Sequence, residues 1–548
     1  MEIASSGPDD VFPGHRVVLA SVSHIEPFSL GVACLKAWTM RDEALRGVDI
    51  MIHEWPAATP PSDVANQILS LRPHLVGLSV YVWNLAATLE IVRNLKSSSC
   101  DIRILLGGPG AASMSRDLLA LHQEIDFIAI GEGEETFRRL LHALFLQDEA
   151  VSFVPGLAWR NGANIVTNAE AAFIDLSLLP SVYLSGIISV PVRDDPSAGL
   201  PVPMHLEGSR GCPFSCKFCD WGPQKLRYRP IDVIEQEFKW AAGHGISFVS
   251  MTDADILRNS QWGMKVLRAF IRATRDLPDF ALHFESNPTF LGRGFVDFLS
   301  AHPRKFVLNL GIQSINPVAL TRVSRRLDLK RVEEKLLELR QKAPGIVFRP
   351  EIILALPGDD RRNYLRTLNW VLRQRPGRDI AISHAMVLPG TDMRDKSRQI
   401  GILDFQRQYP YYVLRTETMT PQDITDCREI SFFISLMWAC FSTFYAGFLE
   451  IATHLPGETP CVRVFKDCRD YLGSLSLNPV ADLVGWGAAE SSKGIDDWVN
   501  TAASLLKLRP LLAGAYHAAI RQFMRQLADE NGRAEKGSLP TVDFAGMS

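Results

Sequence analysis

The sequence predicts an α/β protein made of two successive strand–helix series followed by a mostly helical region. Three observations carry this. Short β-branched runs alternate with amphipathic stretches from residue 16 to about 145, the same rhythm resumes near His205 for about six units, and strand-like runs thin out beyond about residue 400. A chain of 548 residues has room for two to four domains of ordinary size.

The strands of the first series are expected at 17-VVLAS-21, 48-VDIMIHEW-55, 75-LVGLSVY-81, 102-IRILLGG-108 and 126-DFIAIGEG-133. Amphipathic stretches such as 85-LAATLEIVRNLK-96 and 134-EETFRRLLHALF-145 separate them. Strands joined by helical crossovers make a parallel sheet, so residues 1–150 read as a doubly wound, Rossmann-like domain. Such sheets take ligands beyond the carboxyl ends of their strands, which here carry Ser79, Gly107–Gly108 and Gly131–Glu132–Gly133. Residues 151–203 are rich in Pro, Gly and Asn (155-PGLAWRNGANIV-166, 195-DPSAGLPVP-203) and read as a linker.

The second series, residues 204–400, offers strands at 204-MHLEGS-209, 246-ISFVSMT-252, 281-ALHFES-286, 306-FVLNLGI-312, 349-RPEIILALP-357 and 380-IAISHAMVL-388. Six units are too few to close an eight-fold barrel, so an open, partial (β/α)6 barrel is expected, with its chemistry at the carboxyl ends of the strands. Residues 401–548 read as a mostly helical domain with loops such as 455-LPGETPC-461. Within it, 430-ISFFISLMWACFSTFYAGFL-449 is uncharged and long enough to span a bilayer. It contains serines and a threonine, lacks a basic flank and stands alone, so it reads as a buried helix packed on the preceding domain.

A formal charge of −3 leaves no electrostatic footprint for nucleic acid or an anionic membrane. The segment MEIASSGPDDVFPGHR is polar and has no apolar core of a signal peptide, so a reducing cytoplasmic setting is expected. Clustered cysteines then point to metal or catalysis before disulfides.

Cys212, Cys216 and Cys219 fall together in 209-SRGCPFSCKFCDWG-222. A structural zinc needs four ligands, and His205 or His244 could supply the fourth. That reading expects a paired C-x-x-C knuckle, which none of Cys427, Cys440, Cys461 and Cys468 forms. A four-iron cubane held by three thiolates instead keeps one iron open for a ligand that is not protein. The six other cysteines read as small apolar residues.

C-x-x-x-C-x-x-C in the loop after the first strand of a partial barrel resembles the signature of radical S-adenosylmethionine (SAM) enzymes, and Phe218 before the last cysteine also matches. The resemblance implies a [4Fe–4S] cluster on Cys212, Cys216 and Cys219. Its open iron would chelate SAM, and an electron from the cluster would release a 5′-deoxyadenosyl radical. It also implies SAM contacts from Phe218, from Thr252 and Asp253 in 251-MTDAD-255, and from Glu285 in 285-ESNP-288. Gln313 and Glu351 would meet the ribose and Arg325 the methionine carboxylate. The residue types suit these roles, since an acid bonds a diol and an arginine bonds a carboxylate. The usual glycine-rich turn after the second strand is absent.

The 107-GGPG-110 run makes a poor dinucleotide fingerprint, being incomplete and following the fourth strand. The stretches 79-SVYVWN-84, 107-GGPGA-111 and 131-GEGEETF-137 instead resemble the cobalamin-binding domain fused ahead of many radical SAM proteins. That implies cobalamin contacts from Ser79, Tyr81, Trp83, Asn84, Gly107, Gly108, Pro109, Gly131, Glu132, Gly133 and Glu134. The Asp-x-His-x-x-Gly motif that supplies cobalt with histidine is absent, and His24, two places after Val22, reads as a loop residue. Tyr81 and Trp83 are then the candidates for the lower face of cobalt.

Together the resemblances imply a cobalamin-dependent radical SAM C-methyltransferase of the class B type. The methyl group would pass from SAM via methylcobalamin to a carbon of a small-molecule or peptide natural-product precursor, as in antibiotic biosynthesis. The alternatives are a cyclase or ring-rearranging enzyme with the same cofactors, and a non-catalytic iron–sulfur protein. The expected partners are the substrate and an external electron donor of flavodoxin or ferredoxin type, with no nucleic acid and no membrane, and the chain a monomer. The helical tail, with Trp438 and Tyr445, is expected to cover the barrel mouth.

Overall fold

The computed structural model describes residues 14–23, 29–189, 203–377, 379–453, 455–478, 502–507 and 510–532. The chain packs as two compact units, residues 1–213, 220–254 and 259–283 in the first, and 214–219, 255–258 and 284–548 in the second.

The first unit contains a seven-stranded sheet of β1 (Arg16–Ser23), β2 (Asp49–Pro56), β3 (Leu75–Ser79), β4 (Arg103–Gly107), β5 (Phe127–Ala129), β6 (Leu157–Asn161) and β7 (Asn164–Thr167), in the order β2-β1-β3-β4-β5-β6-β7. The first five are parallel, as their β-branched runs predict. Alternate residues of each strand feed two separate cores. Val18, Ala20, Val76, Leu78, Ile104 and Leu106 pack with helices Pro61–Ser70 and Leu85–Ser98, while Val17, Leu19, Leu75, Leu105 and Phe127 pack with Leu30–Thr39 and Gly133–Leu141. Burial on both faces is why these strands are apolar throughout rather than alternating.

The linker expectation needs correction. Residues 157–167 form the antiparallel pair β6–β7, which joins the sheet beside β5, with Asn161 facing Asn164 across Gly162–Ala163. Gly162 lies at φ +60, a left-handed turn position that its lack of a Cβ allows. Residues 195–202 of that stretch, and His24, lie outside the described residues.

The order reverses between β1 and β3, the point where doubly wound sheets open a crevice. Asn84 spans it. Its amide donates to Val22 O and Ser79 O, at the carboxyl ends of β1 and β3, and its carbonyl accepts from Tyr81 N, at 3.0, 3.0 and 2.8 Å.

A second sheet runs β8 (Pro203–Leu206), β11 (Phe248–Met251), β12 (Ala281–Ser286), β13 (Phe306–Gln313), β14 (Val347–Leu354) and β15 (Ala381–His384) in strictly sequential order, the half-barrel expected. Between β8 and β11 lies a two-residue ribbon of β9 (Ser209–Arg210) and β10 (Arg227–Tyr228). In the second unit, one face of β13–β14 presents Leu308, Leu310, Phe348, Ile352 and Leu354 to the core. The other carries Asn309 beside Arg349 and Gly311 beside Glu351. A polar face is unusual for parallel strands and marks the side open to ligand.

The chain continues through the hairpin β16 (Ile402–Phe405) and β17 (Val413–Thr416) into helices Pro421–Cys440, Ser442–Ala452, Pro460–Ser474 and Pro510–Gly532. A capping box of Thr420 and Asp423 starts the first of these. The apolar run 430–449 is two helices, because Phe441 leaves helical geometry at φ −137, ψ 41. Ile430, Phe432, Phe433, Ile434, Leu436 and Met437 are all buried. Among the described residues no helix is long and apolar enough to cross a membrane.

Replacing Asn84 by Ala strips partners from one buried N–H and two carbonyls, and should destabilise the first unit by about 2–3 kcal/mol. Asn84→Asp should cost more, because its carboxylate faces both carbonyls. Urea denaturation of the three proteins checks both the size and the order.

Candidate functional site

The cysteine loop leaves β9 and returns at β10, and its neck is closed by backbone. Arg210 pairs with Arg227 across the ribbon, and Gln224 N–H donates to Cys212 O at 2.7 Å. Gly211 sits at φ +92, and a Cβ there would fall 2.4 Å from Lys225 O, so only glycine fits. Asp253, 2% exposed, accepts from Gly208 N at 2.9 Å and from the Ser209 hydroxyl. Burial pushes its carboxyl up to about 7 against those hydrogen bonds. Asp253 therefore holds the approach to the cysteines, a structural job its spacing did not announce. Thr252 pairs through its N–H with Leu206 O at 2.9 Å.

In the second unit the loop tip is pinned by Lys217 N–H to Val323 O at 3.0 Å and by Met393 N–H to Lys217 O at 2.9 Å. Phe214 stacks on Phe290 with Arg258 over both rings, and Phe218 is half-buried. Cys212, Cys216 and Cys219 are all half-buried. Among the described residues no three His, Cys, Asp or Glu side chains converge as on a single metal ion. A multi-iron cluster does not ask for that, since each cysteine ligates its own iron, and soft thiolates on a pinned loop suit it. Elsewhere in the chain, burial pushes the Cys427 thiol up to about 12 and Cys461 up to about 11, so both stay protonated.

The polar face of the second unit gathers Glu285, Glu351 and Arg325. Asn309, which the sequence did not single out, donates to Glu351 Oε1 at 3.0 Å, while its own Oδ1 is buried with no partner. Water reaches Glu285, yet protein surrounds it. Burial, then repulsion from Glu351, pushes its carboxyl up to about 7, with Arg349 opposing. Glu351 is raised by burial too, against the pull of Arg349, the Asn309 hydrogen bond and Arg325. Gln313 is buried at φ +66, at a bulge where β13 skips a residue against β14. Arg325 donates to Gly311 O and lies 3.7 Å from Cys216 Sγ.

At the edge of the first sheet, Tyr81 and Trp83 stack at 4.4 Å and 10°, and Trp83 keeps 38% of its surface exposed. Gly108 and Gly110 serve chain packing: a Cβ would lie 2.6 Å from Val80 O at Gly108 and 2.6 Å from the Tyr81 carbonyl carbon at Gly110. Pro109 follows as the first residue of a short helix. Gly131, at φ +82, faces open space, and a Cβ on Gly107 would only touch Ala129. Gly133 instead packs against Leu35, and Ser79 is half-buried at the end of β3.

Glu132 and Glu134 are engaged within the protein. Glu132 takes both terminal nitrogens of Arg227, and Glu134 pairs with Arg210 at 2.6 Å, which also pairs with Glu207 at 2.8 Å. Asn84, Glu132, Glu134 and Asp253 are thus committed to protein partners. Tyr81, Trp83, Gly107 and Gly131 remain open. Arg210 and Arg227 flank the cysteines in sequence, but only their facing carboxylates reveal their use.

Residues 16–141 match the model of the B12 binding domain, and residues 206–371 that of the Radical SAM superfamily. The chain is 24% identical over 428 residues to the cobalamin-dependent radical SAM methyltransferase TokK of Streptomyces tokunonensis, covering 76% of this chain and 61% of that protein. It is 26% identical over 362 residues to the 2-(S-pantetheinyl)-carbapenam-3-carboxylate methyltransferase of Streptantibioticus cattleyicolor, covering 64% and 52%. The match thus spans between half and two thirds of each relative. In fold it is similar to the cobalamin-dependent SAM radical enzyme OxsB with aqua-cobalamin and SAM bound (TM-score 0.64, 14% identity, 95% of this chain and 84% of that one). It is also similar to the methyltransferase TsrM of Kitasatospora setae with cobalamin and a [4Fe–4S] cluster bound (TM-score 0.56, 16% identity, 75% and 81%). The chain thus carries a B12-binding domain followed by a radical SAM domain.

Proposed function

We propose that this protein is a cobalamin-dependent radical SAM methyltransferase that places a methyl group from SAM on a carbon of a small-molecule or peptide natural-product precursor. The observation that carries this reading is the contact of Arg325 with both Cys216 and Gly311. It supports a single site shared by a cysteine of the loop and the carboxylate-bearing strands of the second unit. When bound, the cluster supplies an electron that splits SAM, and cobalamin supplies a carrier for its methyl group.

The residues present suit these groups. Cys212, Cys216 and Cys219 would hold the cluster. Glu285, with Glu351 close enough to repel it, presents negative charge to the ammonium and sulfonium of SAM, while Glu351 and Gln313 reach for the ribose hydroxyls. Asn309 fixes the rotamer of Glu351, and Phe218 offers a ring for the adenine. The stack of half-buried Tyr81 on exposed Trp83 offers an aromatic face to the corrin, and Gly107 and Gly131 leave space for its nucleotide tail. Asp253 and Thr252 act by holding the base of the cysteine loop.

In this reading the domains run 1–150, 151–203, 204–400 and 401–548. The B12-binding sheet takes in β6 and β7 from the second of these. The protein works as a cytoplasmic monomer in antibiotic biosynthesis, fed single electrons by a flavodoxin or ferredoxin.

After anaerobic reconstitution with iron, sulfide and hydroxocobalamin, the protein should release both S-adenosylhomocysteine and 5′-deoxyadenosine in the presence of its substrate. Mass spectrometry follows both, and 5′-deoxyadenosine alone would favour a rearrangement instead. Cys212→Ala should abolish both products together with cluster absorbance.

Stability of the unliganded protein should also depend on Glu285. Its carboxyl is raised in the fold, so the folded state holds the proton more tightly than the unfolded chain does. Stability should therefore fall as pH rises from about 4.5 to about 7. Glu285→Gln should flatten that window in thermal melts, and SAM should bind the wild type more tightly at pH 8 than at pH 6.

A further inference from the structure

We propose that Arg325 sets the reduction potential of the iron–sulfur cluster, by holding a fixed guanidinium against the sulfur of Cys216. The inference rests on the reading that the cysteine loop carries that cluster, and it goes beyond the carboxylate contact that family resemblance assigns to this arginine.

The contact is built from the backbone outward. Arg325 follows helix Pro317–Arg322, where Ser324 turns left-handed at φ +56 and Arg325 N–H returns to Leu320 O at 2.8 Å. Lys217 N–H bonds Val323 O at 3.0 Å, so a main-chain link lies one residue from Cys216 and two from Arg325. That link sets the arginine and the cysteine side by side whatever rotamers they adopt.

The guanidinium then spans the remaining gap. One terminal nitrogen donates to Gly311 O and the other lies 3.7 Å from Cys216 Sγ. A flat, permanently charged fork can serve both acceptors at once, which the single ammonium of lysine cannot. Gly311 makes room for it: a Cβ there would stand 2.8 Å from Arg325 Nη2. The third nitrogen, Nε, is buried with no partner, so part of the group is withdrawn from water. Asp255 and Glu351 are the carboxylates that feel this charge.

Reduction adds one electron to the cluster from an external donor, with no bond made or broken and no proton moved. The added negative charge spreads onto the sulfurs, where a cationic N–H donor stabilises the reduced state more than the oxidised one. Such a donor raises the potential, and its loss lowers it. A weak external reductant can then fill the cluster more easily.

The test uses the full-length protein, reconstituted anaerobically with iron and sulfide, without SAM, cobalamin or substrate. Wild type, Arg325→Met, Arg325→Gln and Gly311→Ala are titrated with dithionite and mediators while electron paramagnetic resonance reads the reduced cluster. Iron and sulfide are counted in each. At the wild-type midpoint, the reduced-to-oxidised ratio of Arg325→Met should fall about tenfold, which is ~59 mV for one electron. Arg325→Gln, which keeps an N–H donor but no charge, should fall less. Gly311→Ala, which keeps the arginine but displaces it, should fall between wild type and Arg325→Met.

A wild-type potential in fully loaded Arg325→Met would overturn the proposal. So would wild-type potentials in both Arg325→Gln and Gly311→Ala, should Arg325→Met fail to load. A loss confined to SAM affinity, measured separately by calorimetry, would leave Arg325 a ligand of the SAM carboxylate alone. Lowered potentials in a protein that transfers no methyl group would uphold this inference and overturn the proposed function. Failure of the wild type to bind iron would end both.

Discussion

Arg210 lies two residues before Cys212 with 14% of its side chain exposed, among three carboxylates. It meets Glu134 at 2.6 Å, Glu207 at 2.8 Å and Glu132 at 3.5 Å. Ion pairs withdrawn from water return little net stability, because desolvation offsets most of their attraction. What they do supply is position, since any other placement leaves a charge unmatched. Arg227 repeats the arrangement across the ribbon, bonding Glu132 and Ile174 O, and Arg229 closes on fully buried Glu237 at 2.9 Å. Three arginines thereby tie the neck of the cysteine loop to the turn after β5, to the segment that follows β7 and to helix Ile231–Gly243. The expected nucleotide-side loop and the expected cluster loop are joined by charge before any cofactor arrives.

The second unit is graded along its strands. Toward the start of β14, Arg349 is neutralised by Asp379 at 2.7 and 3.0 Å. One inward-facing position further on, Glu351 accepts the amide of Asn309, and burial, then repulsion from Glu351, raises Glu285. Nearer the cysteine loop stands the guanidinium of Arg325. Polarity is thus matched by an ion pair at the bottom and only by hydrogen bonds and more distant charge toward the proposed SAM site. The unpartnered Asn309 Oδ1 belongs to the same pattern, a buried acceptor held ready for a donor.

Much of this was legible beforehand. β-branched runs placed the strands of both series within a few residues, most plainly in the first sheet, where parallel strands covered on both faces must be apolar along their length. The cysteine spacing pointed to a radical SAM domain, and the match of residues 206–371 to the Radical SAM superfamily model bears that out. Two expectations moved. The stretch around Asn161–Gly162 looked like a linker because turn residues dominate it, yet the short runs on either side pair onto the sheet. The apolar run 430–449 looked like one helix, and Phe441 divides it.

Sequence alone determined which chemistry the chain can reach, because three thiols at that spacing after a strand suit one class of centre and few others. It also determined the two folds, since strand and helix periods are local properties of the chain. Only tertiary structure decided which polar residues are spoken for. Asn84, Glu132, Glu134 and Asp253 carry the side chains of ligand contacts, but their hydrogen bonds run to protein groups far away in sequence. A side chain's type states what it can bond. Its partner is set by which distant segment the packed core brings within three ångströms of it.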